Sequence, residues 1–256
     1  MFGVRCWMLD VHFLAFLIVL SLFTSSFAAE PQEFFQVFAS ATANFEQGKS
    51  REAAAALQAA GQKFVTTPWK EIALLKAAEL EESFDRVTAG KNYDEIVNRL
   101  KDQASDRACQ VALAQASRGL QRLEAIEIEA ALQKYYLAKV EFPPTLETLV
   151  QAKYLTDDKI RDASGKTYAY STGVEKLIPS VPRQTYTLQK IASPPFGWKD
   201  AKIVGTSAGA ALVQWTSAPS KSLRIGDKAD DLEVLSVLDN GVILGNDSRL
   251  VVLSAK

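Results

Sequence analysis

Around residue 140 the chain changes character, and that change limits what it can fold into. Of its nine prolines, only Pro31 and Pro68 precede residue 142. Residues 31 to about 138 are rich in Ala, Leu, Glu, Gln and Lys, and their apolar residues recur at three- and four-residue steps. Beyond Phe142, prolines and glycines multiply and short β-branched runs replace the long stripes. The first pattern is that of amphipathic helices and the second that of strands. Helices first and strands second predict an α+β chain rather than an alternating α/β one.

Within the helical part, Leu74, Ala77, Leu80, Phe84 and Val87 form one apolar stripe. Leu113, Ala116, Leu120 and Leu123 form a second, and Ile128, Leu132 and Tyr135 continue it. Breaks are expected at Gly48-Lys49-Ser50, Thr66-Thr67-Pro68 and Ala89-Gly90-Lys91-Asn92. These divide the region into four or five helices, the last a long one over about 105–138. The segment Phe45 to Ala53, with Leu57, Ala60 and Pro68, resembles half of a tetratricopeptide repeat, and Ala89 to Glu95 echoes it. Three such units normally make a solenoid, so TPR-like hairpins and a plain helical bundle both remain open.

In the second part, strands are expected at about 201–205, 210–216, 222–226, 232–238, 241–245 and 249–253. Asn240-Gly241 is a strong hairpin signal, because both turn positions need positive φ. Gly245 to Ser248 supplies another turn. Short strands at this spacing make a small antiparallel sandwich or barrel.

The N-terminal apolar run, Phe13 to Phe23, ends in small residues. It falls short of the roughly 20 apolar residues a spanning helix needs. Ser26 and Ala28 fit the −3 and −1 positions of a secretory signal. Cleavage after Ala28 is therefore expected, with membrane contact only if the segment is retained. Removing it takes away Cys6 and His12, the only histidine. Cys109 is then the one thiol, so no internal disulfide, His/Cys zinc site or imidazole catalysis is expected. The formal charge of −1 carries no basic excess of the kind nucleic-acid binding uses.

Residues 130–171 run from Ala130-Ala131-Leu132-Gln133-Lys134-Tyr135-Tyr136 through Phe142-Pro143-Pro144-Thr145-Leu146 to Tyr168-Ala169-Tyr170. This stretch resembles the periplasmic part of the major pseudopilin of type II secretion systems. The resemblance implies that a long helix ends near Tyr136, that Thr145 caps a short helix, and that Gly165 turns a hairpin. Ala163 and Ser164 stand where that family carries Pro-Trp, and its calcium loop is not implied. Asp157, Asp158 and Asp162 instead serve turns. Residues 200–253, with Arg224-Ile225-Gly226-Asp227 and the runs Leu232 to Leu238 and Leu250 to Leu253, are similar to the homology-region domain. That domain occurs in the inner-membrane linker protein of type II secretion and in the pilus-assembly lipoprotein. It is a small β-sandwich that docks on the secretin.

Gly205-Thr206-Ser207-Ala208-Gly209 spells G-x-S-x-G. In hydrolases this motif places serine on a strand-to-helix turn. Ala211 to Trp215 reads as a strand instead, and a Ser-His-Asp triad lacks its histidine. A Ser207–Asp239 dyad is the surviving catalytic alternative. Trp69, Trp198 and Trp215 are expected to anchor packing, Cys109 to be buried, and Glu81-Glu82 and Asp230-Asp231 to be solvated.

Four segments follow: a signal (1–28), a helical region (29–138), a pseudopilin-like segment with a β-hairpin (139–192) and a β domain (193–256). The expected function is that of a non-enzymatic, exported adaptor in the periplasm or envelope. It binds subunits of a type II secretion or type IV pilus-like machine, the secretin among them. Arg224, Ile225, Gly226 and Asp227 are the partner-binding residues, with no catalytic residue, metal, cofactor or small-molecule substrate. An envelope helical-repeat scaffold unrelated to secretion is the other non-enzymatic alternative.

Overall fold

The computed structural model describes residues 30–102, 106–162, 164–178, 181–197, 201–207, 209–216 and 218–255. The expected signal segment and Trp198 lie outside them. Six helices precede a series of small antiparallel sheets, so the chain is α+β. The helices are α1 (30–46), α2 (Ser50–Lys63), α3 (Trp69–Glu81), α4 (Arg86–Leu100), α5 (Arg107–Lys139) and α6 (Leu146–Gln151). A 3-10 turn, Asp157–Ile160, follows. The strands are β1 (Tyr170–Ile178), β2 (Val181–Leu188), β3 (Ala201–Ser207), β4 (Ala210–Trp215), β5 (Lys221–Arg224), β6 (Lys228–Ala229), β7 (Leu232–Leu238), β8 (Gly241–Asn246) and β9 (Arg249–Ser254). They form three separate sheets, β1-β2, β3-β4-β5 and β6-β7-β8-β9, all open, so the barrel alternative does not hold.

Backbone contacts gather the chain into two units. The first holds residues up to Leu74, Gly197–Leu244 and the residues from Val251 on. The second holds Leu75–Phe196 and Gly245–Leu250. Helices α1 and α2 are thus grouped with the C-terminal strands, a grouping that boundaries at 138 and 192 do not contain.

In the first unit, β4 alternates between buried and more exposed residues, whereas β8 and β9 are buried on both faces. Ala211, Val213, Leu223, Leu232, Val234, Val242, Leu244, Val251 and Leu253 form one shared core, with Ile203 and Trp215 at its margin. Helix α1 contributes Phe34, Phe35 and Phe38, all buried. The Phe34 and Trp69 rings lie 5.4 Å apart, so Trp69 is the packing anchor expected of it. Gly48, at φ +78°, turns the chain between α1 and α2 as expected. Gly61 brings α2 close to Leu74, whose side chain would stand 2.7 Å from a Cβ there. Gly241 is pressed still harder, with the Phe35 ring 2.2 Å from where a Cβ would sit; it opens β8, and the turn falls on Asp239-Asn240 without the positive φ expected at Asn240-Gly241.

In the second unit, Asp85 caps α4 and Asp106 caps α5, their carboxylates accepting the N–H groups of Thr88 (3.1 Å) and Cys109 (2.8 Å). These bonds satisfy N–H groups that a helix start leaves without partners. The expected break at Ala89-Gly90-Lys91-Asn92 is not a turn. It lies inside α4, and the chain breaks at residues 82–85 instead, where Asp85 supplies the cap. The second tetratricopeptide-like turn is therefore missing. The stripe from Leu74 to Val87 also stops early, because α3 ends at Glu81 and Val87 is 70% exposed.

Helix α5 ends with Val140 in the left-handed region at φ 62°, ahead of the Pro143 that cannot continue it. Thr145 sits at the N-cap of α6 without the expected capping bond; its hydroxyl faces that of Thr148 at 3.4 Å. Gly165 turns the chain at φ +81°, but among the described residues around it there is one bridge, Arg161 with Thr167, and not a full hairpin. The full hairpin comes later, as β1-β2. Tyr168, Leu188, Phe142, Leu146, Leu149 and Ile160 pack with the C-terminal half of α5 through Ile128, Leu132 and Tyr135.

Candidate functional site

The four residues singled out in the sequence form one tight turn between β5 and β6. Arg224 ends β5, and Gly226 takes φ +86°, a left-handed conformation that glycine adopts at little cost. A Cβ at Gly226 would meet nothing within 4 Å, so the backbone angle and not space calls for glycine. The Asp227 carboxylate accepts the Arg224 N–H at 2.8 Å, and the Asp227 N–H donates to the Arg224 carbonyl at 3.0 Å. Two further bonds pin the turn to β7. The Gly226 N–H donates to the Val234 carbonyl and the Val234 N–H to the Asp227 carbonyl, each at 2.9 Å.

Gly226 and Asp227 thus build the turn, leaving Arg224 and Ile225 to present side chains. Ile225 is 63% exposed, a large aliphatic group at the tip of a fixed loop. Lys221 and Lys228 flank it, with the Lys221 ammonium 3.3 Å from the Lys228 carbonyl. The turn offers an apolar knob among charges of both signs, Lys221, Arg224 and Lys228 with Asp227, Asp230 and Asp231, suited to a shallow apolar patch with a polar rim. No family model, curated protein or solved structure matches the chain.

Ser207 and Asp239 come together at the other candidate position. Both border a cavity of about 310 Å³ in the first unit, with Thr206, Asn240, Phe35 and Pro31 also in its wall. The Thr206 hydroxyl donates to the Asp239 carbonyl at 2.7 Å and fastens the two turns together. Ser207 pairs with Ala210 across the β3-β4 hairpin, and Gly209 turns it at φ +78°. The G-x-S-x-G serine therefore stands on a strand-to-strand turn, without the strand-to-helix elbow that strains and exposes a nucleophile.

The second unit holds a polar cluster that residue types alone did not disclose. Glu81 and Glu82, expected on a solvated face, are 3% and 9% exposed. The Arg122 guanidinium donates to Glu82 through Nε (2.9 Å to Oε1) and through its terminal nitrogen (2.6 Å). The Tyr93 hydroxyl donates to the same oxygen at 2.6 Å, and the Ser193 hydroxyl to the other at 3.1 Å. One turn back along α3, the fully buried Lys76 pairs with Glu79 at 2.8 Å and donates to the Leu250 carbonyl. Burial raises the Glu79 carboxyl against the pull of Lys76. Burial also raises Glu81 to about 7, against an Asn92 bond of 2.8 Å that favours its charged form. For Arg122, burial works against the charge, yet the Glu82 bonds and neighbouring carboxylates hold its pKa above the usual value.

One sequence signal for this cluster existed. Ile72-Ala73-Leu74-Leu75-Lys76-Ala77-Ala78 has no polar face for a helix to turn outward. All seven residues are buried. A helix apolar on every side is covered on every side, and its charges with it. Elsewhere the acidic residues serve turns as expected. The Asp162 carboxylate accepts the Ser164 and Lys166 N–H groups (2.9 and 3.0 Å), and Asp157 pairs with Arg161 (2.9 Å). Cys109 is buried and contacts Asp106 at 3.1 Å. Among the described residues no cluster of His, Cys, Asp and Glu is arranged to hold a metal, and no helix is long and apolar enough to cross a membrane.

Proposed function

We propose that this chain is a non-enzymatic periplasmic adaptor or assembly component of a type II secretion or type IV pilus-like machine. It acts by binding other subunits of that machine, the secretin foremost. The observation that carries the reading is the turn Arg224 to Asp227. Four hydrogen bonds fix its backbone, and it holds Ile225 in solvent on a unit that contains two antiparallel sheets. A fixed loop loses little conformational freedom on binding, which suits a docking element. The long helix α5, followed by short α6 and the β1-β2 hairpin, supports the pseudopilin half of the resemblance.

The test is affinity capture from envelope extract with the tagged chain and with an Ile225→Asp, Arg224→Glu variant. Secretion or pilus subunits should be recovered with the parent chain and lost with the variant. Recovery of none with the parent chain would count decisively against the proposal. The hydrolase alternative keeps only the proximity of Ser207 and Asp239. It predicts an esterase activity that Ser207→Ala abolishes, whereas the adaptor reading predicts the same turnover of an activated ester by both proteins.

A further inference from the structure

Helix α5 carries more apolar surface than its own unit covers. Its inward face is built from small residues, among them Ala112, Ala116 and Gly119, together with Arg122. Leu120, Leu123 and Ile126 stay half-buried on another side. This reverses the expected stripe, in which Leu120 and Leu123 point inward with Ala116. The reason is close approach: the Tyr93 ring would lie 2.4 Å from a Cβ at Gly119, so α4 crosses α5 where side chains are smallest. The displaced leucines, with Ile126 and the exposed Val87, border an open groove of about 470 Å³ between α4 and α5. The helices run antiparallel there, since Gly90 faces Leu123 while Tyr93 faces Gly119. An aliphatic groove on a helix pair is the surface that bundles cover with further helices.

The groove's charges select what covers it. Its α4 rim carries Arg86, Lys91 and Asp94, two bases and one acid. The α5 rim carries Glu124 and Glu127 with Lys159, which pairs with Glu127 at 3.0 Å, two acids and one base. One rim is thus net basic and the other net acidic. Such a surface complements itself about a two-fold axis running along the groove. That axis sets α4 of one copy antiparallel against α5 of the other, basic rim on acidic rim. An axis across the groove would set like rims together.

We propose that this groove is a dimer interface, in which the α4–α5 pairs of two copies of the chain form an antiparallel four-helix bundle. The interface is isologous, so every contact occurs twice. The inference stands apart from the secretion reading and survives its failure.

Sedimentation equilibrium on the full chain tests it. The expected species has twice the 28.0 kDa chain mass. Leu123→Glu should return it to monomer with its circular dichroism unchanged. Lys91→Glu and Glu127→Lys should each weaken the dimer, by about tenfold for two disrupted rim contacts. Mixing those two variants should restore near-parental affinity, because both rim pairs of the mixed dimer are again opposite in sign. A parent chain that stays monomeric at tens of micromolar overturns the proposal. So does a dimer indifferent to Leu123→Glu, no recovery on mixing, or a groove occupied instead by a different protein.

Discussion

Arg122 joins the buried polar cluster of the second unit through Glu82. It is 5% exposed and neutralises Glu82, itself buried beside Tyr93 and Ser193. Removing one member of a buried ion pair leaves the other without its counter-charge, which costs roughly 3–5 kcal/mol. Arg122→Ala should lower the unfolding free energy by about that amount in urea titration, and the added change Glu82→Leu should recover part of it. Glu81 gives the unit a pH dependence. Its folded pKa of about 7 lies above the ordinary carboxyl value of 4.5, so between those values the folded state keeps a proton that the unfolded state has released. Its contribution is complete below pH 4.5 and is lost as pH rises through 7. The difference in stability between parent and Glu81→Gln proteins should therefore slope across that window and flatten outside it. None of this was legible from residue types, since an adjacent glutamate pair usually faces solvent. Only the unbroken run Ile72 to Ala78 hinted that α3 has no solvent side.

At the scale of elements, the C-terminal strands were the most legible part. Expected and observed spans for β3, β4, β7, β8 and β9 agree within two residues, because short apolar runs bounded by turn residues are local signals, although β8 and β9 are buried on both faces and do not alternate. The hairpin β1-β2 left no such trace. Residues 171–175 of β1 are all exposed, so over that stretch its pairing with β2 rests on backbone register, and apolar packing is found at the base, where Tyr170, Tyr186 and Leu188 meet the α5 core. Gly90 misled for the opposite reason: glycine usually marks a turn, but here it lies within α4, with a Leu123 methyl 3.6 Å from where a Cβ would sit. The partner-binding turn was readable as a turn from Gly226-Asp227, whereas its ties to Val234 are tertiary. The end of α5 supports a gain in stability. Val140 is 78% exposed and held at φ 62°, a conformation disfavoured for a β-branched residue. Val140→Gly should remove that cost and raise the unfolding free energy by about 1 kcal/mol, seen as a higher Tm.

At the scale of the molecule, the first unit joins sequence-distant parts. Phe35 of α1 lies against Gly241 of β8, and the Ser254 hydroxyl of β9 donates to the Phe35 carbonyl at 3.2 Å. A fragment comprising residues 193–256 should therefore be far less cooperative in thermal melts than the whole chain. Adding residues 30–74 in trans should sharpen its transition. Gly241→Ala should destabilise the whole chain by about 1–3 kcal/mol, because both the Phe35 ring and the Leu253 carbonyl stand where the methyl must go.

The same pairing of early and late segments bears on when the chain acquires its shape. During synthesis, α1 and α2 emerge long before the strands that complete their unit, and the last of these, β9, ends at Ser254. Contacts so far apart in sequence close slowly, since a long loop must be ordered first. Everything from α1 through Ser254 must be made before that core exists. A chain exported as proposed, while it is being made, would cross with its first unit still open until β9 follows, which suits a threading export route. It would then need its buried phenylalanines shielded until the final strand arrives.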